Sequence, residues 1–188
     1  MCILTYIPLK NGFLFTSNRD EQLQRATQDP KFYIRKEQRL LYPKDAKKGG
    51  TWFAVHPKKR SAVSLLNAKD EEGSVNPSSS QSRGKMPLKL LIEGNEFRKF
   101  LTSKLAPFCM ISISNPSIPV KLTSYRWDRK NLEILSLDPS KPYLWCSTSL
   151  YNDEEYNKTA LHFQKKIRNL KDVQSVVAFH KALAQPLN

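Results

Sequence analysis

Two apolar runs open the chain, parted by a turn signal. Ile3-Leu4-Thr5-Tyr6-Ile7 and Phe13-Leu14-Phe15 are rich in aromatic and β-branched residues and lie either side of Lys10-Asn11-Gly12. Asn-Gly between such runs is a strong hairpin signal, so residues 2–8 and 13–19 are expected to pair antiparallel. The residue opposite Cys2 is then Arg19, Asp20 or Glu21, according to whether the loop takes two residues or three. Opposed side chains share a face at about 5 Å.

Further along, residues 22–30 show no clear period and read as a loop. Phe32-Tyr33-Ile34 and Leu40-Leu41-Tyr42 are short strand candidates, followed by a loop over 43–50. Residues 51–56 and 61–67 form a second expected hairpin, with Lys58-Lys59-Arg60 filling its turn. Counting back from that turn sets Asn67 near Gly50. The pair Gly49-Gly50 either bends the backbone or lets it approach a neighbour closely. Residues 69–85 are polar and Ser-rich, and a loop of that length just after Asn67 suggests a substrate lid.

The second half changes period. Pro87 suits a first helical turn, continued by Leu88, Leu91 and Ile92, and Phe97, Phe100, Leu101 and Leu105 recur at spacings of three and four. Residues 108–114, 120–127, 132–137 and 143–146 read as strands joined by short turns, so the sheets are mostly antiparallel. Tyr156, Ala160, Phe163, Ile167 and Leu170 form a helical stripe. Its acids, Asp153 and Glu154, stand at the start and its bases, Lys165, Lys166 and Arg168, at the end, matching the helix dipole. Val173, Val177 and Leu183 mark a last helix. The fold class is α+β: amphipathic helices with opening strands apolar on both faces imply sheet packed on sheet with helices outside.

Composition narrows the function. A chain of 188 residues with 39% hydrophobic content fits one globular domain. No run approaches the roughly 18 apolar residues of a membrane span, and the first residues lack a signal peptide's basic region and apolar core; a soluble, cytoplasmic protein is expected. The three cysteines, Cys2, Cys109 and Cys146, have no paired spacing and read as reduced thiols. Cys109 and Cys146 lie in apolar runs and read as core, without zinc-ligand spacing. His56, His162 and His180 are isolated, so no metal site is expected. Against 17 acidic residues stand 31 Lys and Arg, a net charge of +14. That balance favours an anionic small-molecule ligand. The basic residues fall in short scattered clusters with no aromatic-basic stripe, which argues against nucleic acid and reads as solvated surface or an anion-binding face.

The candidate chemistry sits at the start. If Met1 is trimmed, Cys2 becomes the first residue, and its α-amino group, with a reference pKa of roughly 7.7 to 8.0, can serve as base for its own thiol. Arg19 would hold a thiolate, and Asp20 would orient the ammonium. The plainer reading is a small buried thiol at a strand start beside an Arg19-Asp20 turn pair. Asn67, at a strand end, can offer its amide N–H₂ to an oxyanion or simply stop the strand. Trp52 either lines a pocket or packs in the core.

The opening Met-Cys, the tetrad Asn18-Arg19-Asp20-Glu21 and the later Gly49-Gly50-Thr51-Trp52 closely resemble the NRDE family, also called the transport-and-Golgi-organisation protein 2 family. The likeness extends more loosely through Ser82-Arg83-Gly84, Tyr125-Arg126-Trp127-Asp128 and Trp145 to Tyr151. That family in turn is similar to N-terminal nucleophile hydrolases, particularly Cys-dependent amidases of bile salts and penicillins. The resemblance implies an αββα four-layer sandwich of mostly antiparallel sheets. It also implies Cys2, Arg19, Asp20 and Asn67 as the catalytic set, Asn18, Trp52 and Thr148 as ligand contacts, and no cofactor. Ser147-Thr148-Ser149 stands where relatives carry a second oxyanion Asn, so Thr148 offers a hydroxyl instead. Relatives continue into further strands, so the chain is expected to be a single NRDE domain, residues 1–188, short of its C-terminal strands. Members are also linked to haem handling and to lipid or acyl-CoA metabolism. The alternative the resemblance implies is a non-catalytic haem or acyl-CoA carrier or trafficking protein using the same cleft.

Overall fold

The computed structural model describes residues 2–19, 21, 24–69, 81–114, 120–149 and 152–183. The strands are β1 (Ile3–Leu9), β2 (Gly12–Ser17), β3 (Thr27–Arg35), β4 (Gln38–Asp45), β5 (Phe53–His56), β6 (Ser61–Asn67), β7 (Phe108–Ser114), β8 (Lys121–Trp127), β9 (Leu132–Leu137) and β10 (Tyr143–Cys146). The helices are α1 (Met86–Glu93), α2 (Asp153–Lys166) and α3 (Val173–Leu183). They form two compact units, one from Met1–Glu21 with Asp138–Asn188, the other from Gln22–Leu137. The expected α+β class with large antiparallel sheets is found.

In the first unit a three-stranded antiparallel sheet has the order β10-β1-β2. Leu9 pairs with Gly12, so Lys10 and Asn11 make a two-residue turn, and Gly12 takes a positive φ of 144° there. Alternation splits the sheet into two faces. Ile3, Ile7, Leu9, Leu14, Leu144 and Cys146 pack against Phe163, Ile167, Leu170, Val176, Phe179 and Leu183, which is what holds α2 and α3. A buried side chain of this size contributes about 1.5–3 kcal/mol. A capping box starts α2: Asn152 Oδ1 accepts from the Glu155 N–H at 2.8 Å, and Glu155 accepts from the Asn152 N–H at 2.9 Å. The helical stripe is shorter than its sequence period. Tyr156 is exposed, and past Lys166 the chain tightens into a 3₁₀ turn over Ile167–Asn169.

The second unit is a seven-stranded antiparallel meander, β3 to β9 in chain order, with α1 packed on β5 and β6. Its core joins Leu40, Tyr42, Ala54, Val63, Leu65, Phe97, Phe108, Met110 and Trp127. Lys59, in the turn between β5 and β6, reaches the last carbonyls of α1, Leu91 O at 3.1 Å and Ile92 O at 3.4 Å, where a cation suits the helix dipole.

Two expected loops are strand instead. Thr27 to Pro30 belongs to β3 and Pro43 to Asp45 to β4. The β3–β4 register shifts between Gln28 and Lys31, so Pro30 falls in the irregularity and Pro43 lies across from it, where missing N–H groups cost nothing. Phe97, Phe100, Leu101 and Leu105 do not share a regular helix either: a 3₁₀ segment covers Gly94–Phe100 and ends there, with Phe97 and Leu105 buried. Most of the expected lid, residues 70–80, and the turn at Asn115-Pro116 lie outside the described residues.

Candidate functional site

The register of the first sheet answers which residue faces Cys2. Leu4 pairs with Ser17, and one step further the Asn18 N–H donates to the Ile3 carbonyl at 2.8 Å. The next pair outward is Cys2 and Arg19. On the other side Ile3 pairs with Cys146, and the Ser147 N–H donates to the Cys2 carbonyl at 3.0 Å. Cys2 therefore stands just before β1, bonded to Ser147 on one side, and the β1–β2 register continued past Asn18 runs to Arg19 on the other. By alternation this row shares the face of Leu4 and Tyr6, away from the α2 and α3 packing. Cys2 is half-buried and Ser147 fully buried, and Ser147 Oγ lies 2.7 Å from Ser149 Oγ. Arg19 Nη2 lies 3.5 Å from Glu21 Oε2. Asp20 lies outside the described residues. Thr148 follows Ser147 and is exposed; Ser147, which the sequence did not single out, is the residue at Cys2.

One position before Arg19, Asn18 points to the opposite face and meets α3. Its Nδ2 donates to the His180 carbonyl at 2.9 Å, which fixes the other amide atom, 2.9 Å from His180 Nδ1, as the oxygen. His180 Nδ1 therefore carries the proton. The neutral ring's Nε2 is then an acceptor, taking the Thr5 hydroxyl at 2.8 Å. His180 is buried, and burial pushes its pKa down to about 4. Asn18, expected at the ligand, thus has both amide atoms engaged by one histidine.

The second unit gathers the other motif residues. Extending the β5–β6 register from Phe53↔Ser64 sets Asn67 across from Gly50, as counting back from the turn had placed them. Gly50 packs on Gly84: a Cβ built at Gly50 would lie 2.7 Å from the Gly84 carbonyl carbon, and the Thr51 N–H donates to Gly84 O at 2.7 Å. The close approach holds the buried Arg83 at the end of β6. Its Nε donates to Asn67 Oδ1 at 2.7 Å and its Nη1 to the Pro107 carbonyl at 2.9 Å. A guanidinium can only donate, so the N–H₂ of Asn67 is the side turned away from Arg83. Trp52 is half-buried, and its carbonyl accepts from the Leu65 N–H at 2.8 Å. Arg83 was legible as part of a motif but had no role before the structure.

The remaining titratable candidates are structural. Burial pushes the Cys109 thiol up to about 11 and the Cys146 thiol up to about 12. His56 is buried: its Nδ1 takes the Lys59 N–H at 3.3 Å, so its Nε2 donates to Gln38 Oε1 at 2.9 Å, and burial lowers its pKa. His162 stacks on Phe179 at 5.6 Å. Among the described residues no helix is long and apolar enough to cross a membrane.

No curated protein and no solved structure matches the chain. The family model described as Transport and Golgi organisation 2 matches residues 1–185. That match takes in the Cys2–Arg19 pair, the Gly50–Gly84 contact and the α3 helix alike. The chain belongs to the Transport and Golgi organisation 2 family, which is the NRDE family.

Proposed function

We propose that the protein is a cysteine N-terminal-nucleophile amidohydrolase or acyltransferase acting on a small amide or thioester, with Cys2 as nucleophile once Met1 is removed. The observation that supports this reading is the β1–β2 register, which ends at Leu4↔Ser17 and, continued past Asn18, runs to Cys2 and Arg19. A guanidinium opposite a thiol favours the thiolate. In the reaction the Cys2 sulfur bonds to the acyl carbon and its proton passes to the residue's own α-amine. The oxyanion that forms takes a hydrogen bond from an amide donor, the role assigned to Asn67. Collapse breaks the bond to the leaving amine or thiol, which receives the proton. Water, or a second acceptor, then attacks the thioester and releases Cys2. Asp20 would orient the α-amine, Trp52 and Thr148 would contact the ligand, and the αββα sandwich and a cytoplasmic setting belong to the same reading.

Intact-mass analysis of the native protein, with and without a panel of amide and thioester donors, tests it. Loss of Met1 and an acyl adduct on residue two are expected. Retained Met1 removes the base and the mechanism with it.

One observation favours a carrier, with its cargo at a cleft other than the Cys2 site. A cleft of about 620 Å³ in the first unit is lined by Ile7, Leu9, Ile167 and Leu170, with Lys10 and Lys171 at its edge. Neither lysine has a carboxylate partner among the described residues. Two free cations beside an apolar wall suit an anionic amphiphile such as haem or an acyl-CoA. Titration with either would be weakened by the double change Lys10→Glu and Lys171→Glu if this cleft carries cargo, and unaffected if it does not.

A further inference from the structure

His180 lies far from Cys2 in sequence, and nothing in the chemistry proposed above uses it. Its ring joins the two strands that present the nucleophile pair: Nε2 takes the Thr5 hydroxyl of β1 and Nδ1–H binds Asn18, just past the end of β2, with its main-chain carbonyl taking the other half of the Asn18 amide. The regular pairing of β1 with β2 stops at Leu4↔Ser17, and a single main-chain bond, Asn18 N–H to Ile3 O, continues it. Arg19 is the next residue along, with its Nη2 3.5 Å from Glu21 Oε2, and a strand end opens more readily than its centre.

We propose that His180 is the positioning residue of the Cys2 pair: by gripping Asn18 on one face of the sheet it fixes the direction of Arg19 on the other. Continued one residue past β2, the alternation of the strand couples the two: with Asn18 turned toward α3, its neighbour turns toward the Cys2 face. The inference rests on the nucleophile reading, but its geometry can be tested apart from it.

Amide hydrogen exchange and the pH profile of Cys2 alkylation are measured in the full chain carrying His180→Asn, His180→Gln or Val176→Ala. Asparagine keeps a donor where Nδ1 stood and so keeps Asn18. Glutamine keeps the Thr5 side and leaves Asn18 only its bond to the main-chain carbonyl of residue 180. Val176→Ala loosens α3 packing without touching Asn18. His180→Gln is expected to raise exchange at the Asn18 amide by roughly tenfold or more, to slow Cys2 alkylation near neutral pH and to move its midpoint upward. His180→Asn and Val176→Ala are expected to stay close to wild type in both. Equal exchange in the Asn and Gln variants, or the same effect from Val176→Ala, would overturn the proposal. If wild-type Cys2 alkylates no faster than an ordinary thiol, the nucleophile reading fails, and the exchange comparison still decides whether His180 holds the strand end.

Discussion

Gly50 and Gly84 meet main chain to main chain, with room for a side chain on only one of them. A Cβ on Gly50 would lie 2.7 Å from both the carbonyl carbon and the oxygen of Gly84, whereas one on Gly84 would come no closer than 3.4 Å to Gly50 Cα. The first is an impossible contact against backbone; the second is ordinary packing. Gly50→Ala should therefore cost about 2–3 kcal/mol and lower Tm by roughly 5–10 °C. Gly84→Ala should stay within about 1 kcal/mol of wild type. Thermal unfolding of the two variants checks the asymmetry, and equal losses would contradict the contact.

Arg83 is tied to the same corner by the Asn67 oxygen and the Pro107 carbonyl. A lysine has one nitrogen where the guanidinium uses two and cannot span both acceptors. Arg83→Lys is expected to destabilise by about 1–3 kcal/mol in denaturant unfolding. If Asn67 serves as an oxyanion donor, the same change should lower kcat more than it raises KM.

His180 makes stability depend on acid. Its pKa falls from 6.5 in the unfolded chain to about 4 when folded. The unfolded state therefore takes up a proton first as pH drops. The contribution is fully present above pH 6.5 and is lost as pH falls through 4, on the order of 3 kcal/mol in all. His56, also held below its ordinary value by burial, adds in the same direction. Tm measured from pH 7 to pH 4 should fall less steeply in His180→Gln than in the wild type; parallel curves would mean the ring titrates normally.

The three thiols should separate by reactivity. With Cys109 pushed up to about 11 and Cys146 to about 12, both remain protonated near neutral pH, and the thiolate is the species that reacts. Iodoacetamide at pH 7.5 is expected to leave both unmodified in the folded protein and to reach them once it is denatured. Peptide mapping of the native sample reads this directly, and early label at Cys146 would contradict its burial.

Much of this was written in the sequence where pattern is local. The hairpins β1–β2 and β5–β6 followed from period-two runs around Asn11-Gly12 and Pro57 to Arg60, and the Cys2–Arg19 pairing was one of the registers those runs allow. β3 was illegible over Thr27 to Pro30 because it is an edge strand almost wholly exposed, so no buried face imposed an alternation of apolar and polar residues. His180 was illegible for a different reason. Asn18 and His180 are 162 positions apart, and a buried polar contact at that separation leaves no periodic trace. The Ser147 position likewise came from the β1–β10 register, which no turn signal announces.

β1 lies between unlike neighbours. β2 follows it after a two-residue turn, whereas β10 begins only at Tyr143. Every strand of the seven-stranded sheet, by contrast, pairs with its sequence neighbours. During synthesis the meander can close hairpin by hairpin as it emerges, while the first strand waits with one edge bare. The flank of Cys2 that meets Ser147 is thus completed late, and until β10 has left the ribosome the nascent chain carries its leading thiol with only half of its surroundings in place.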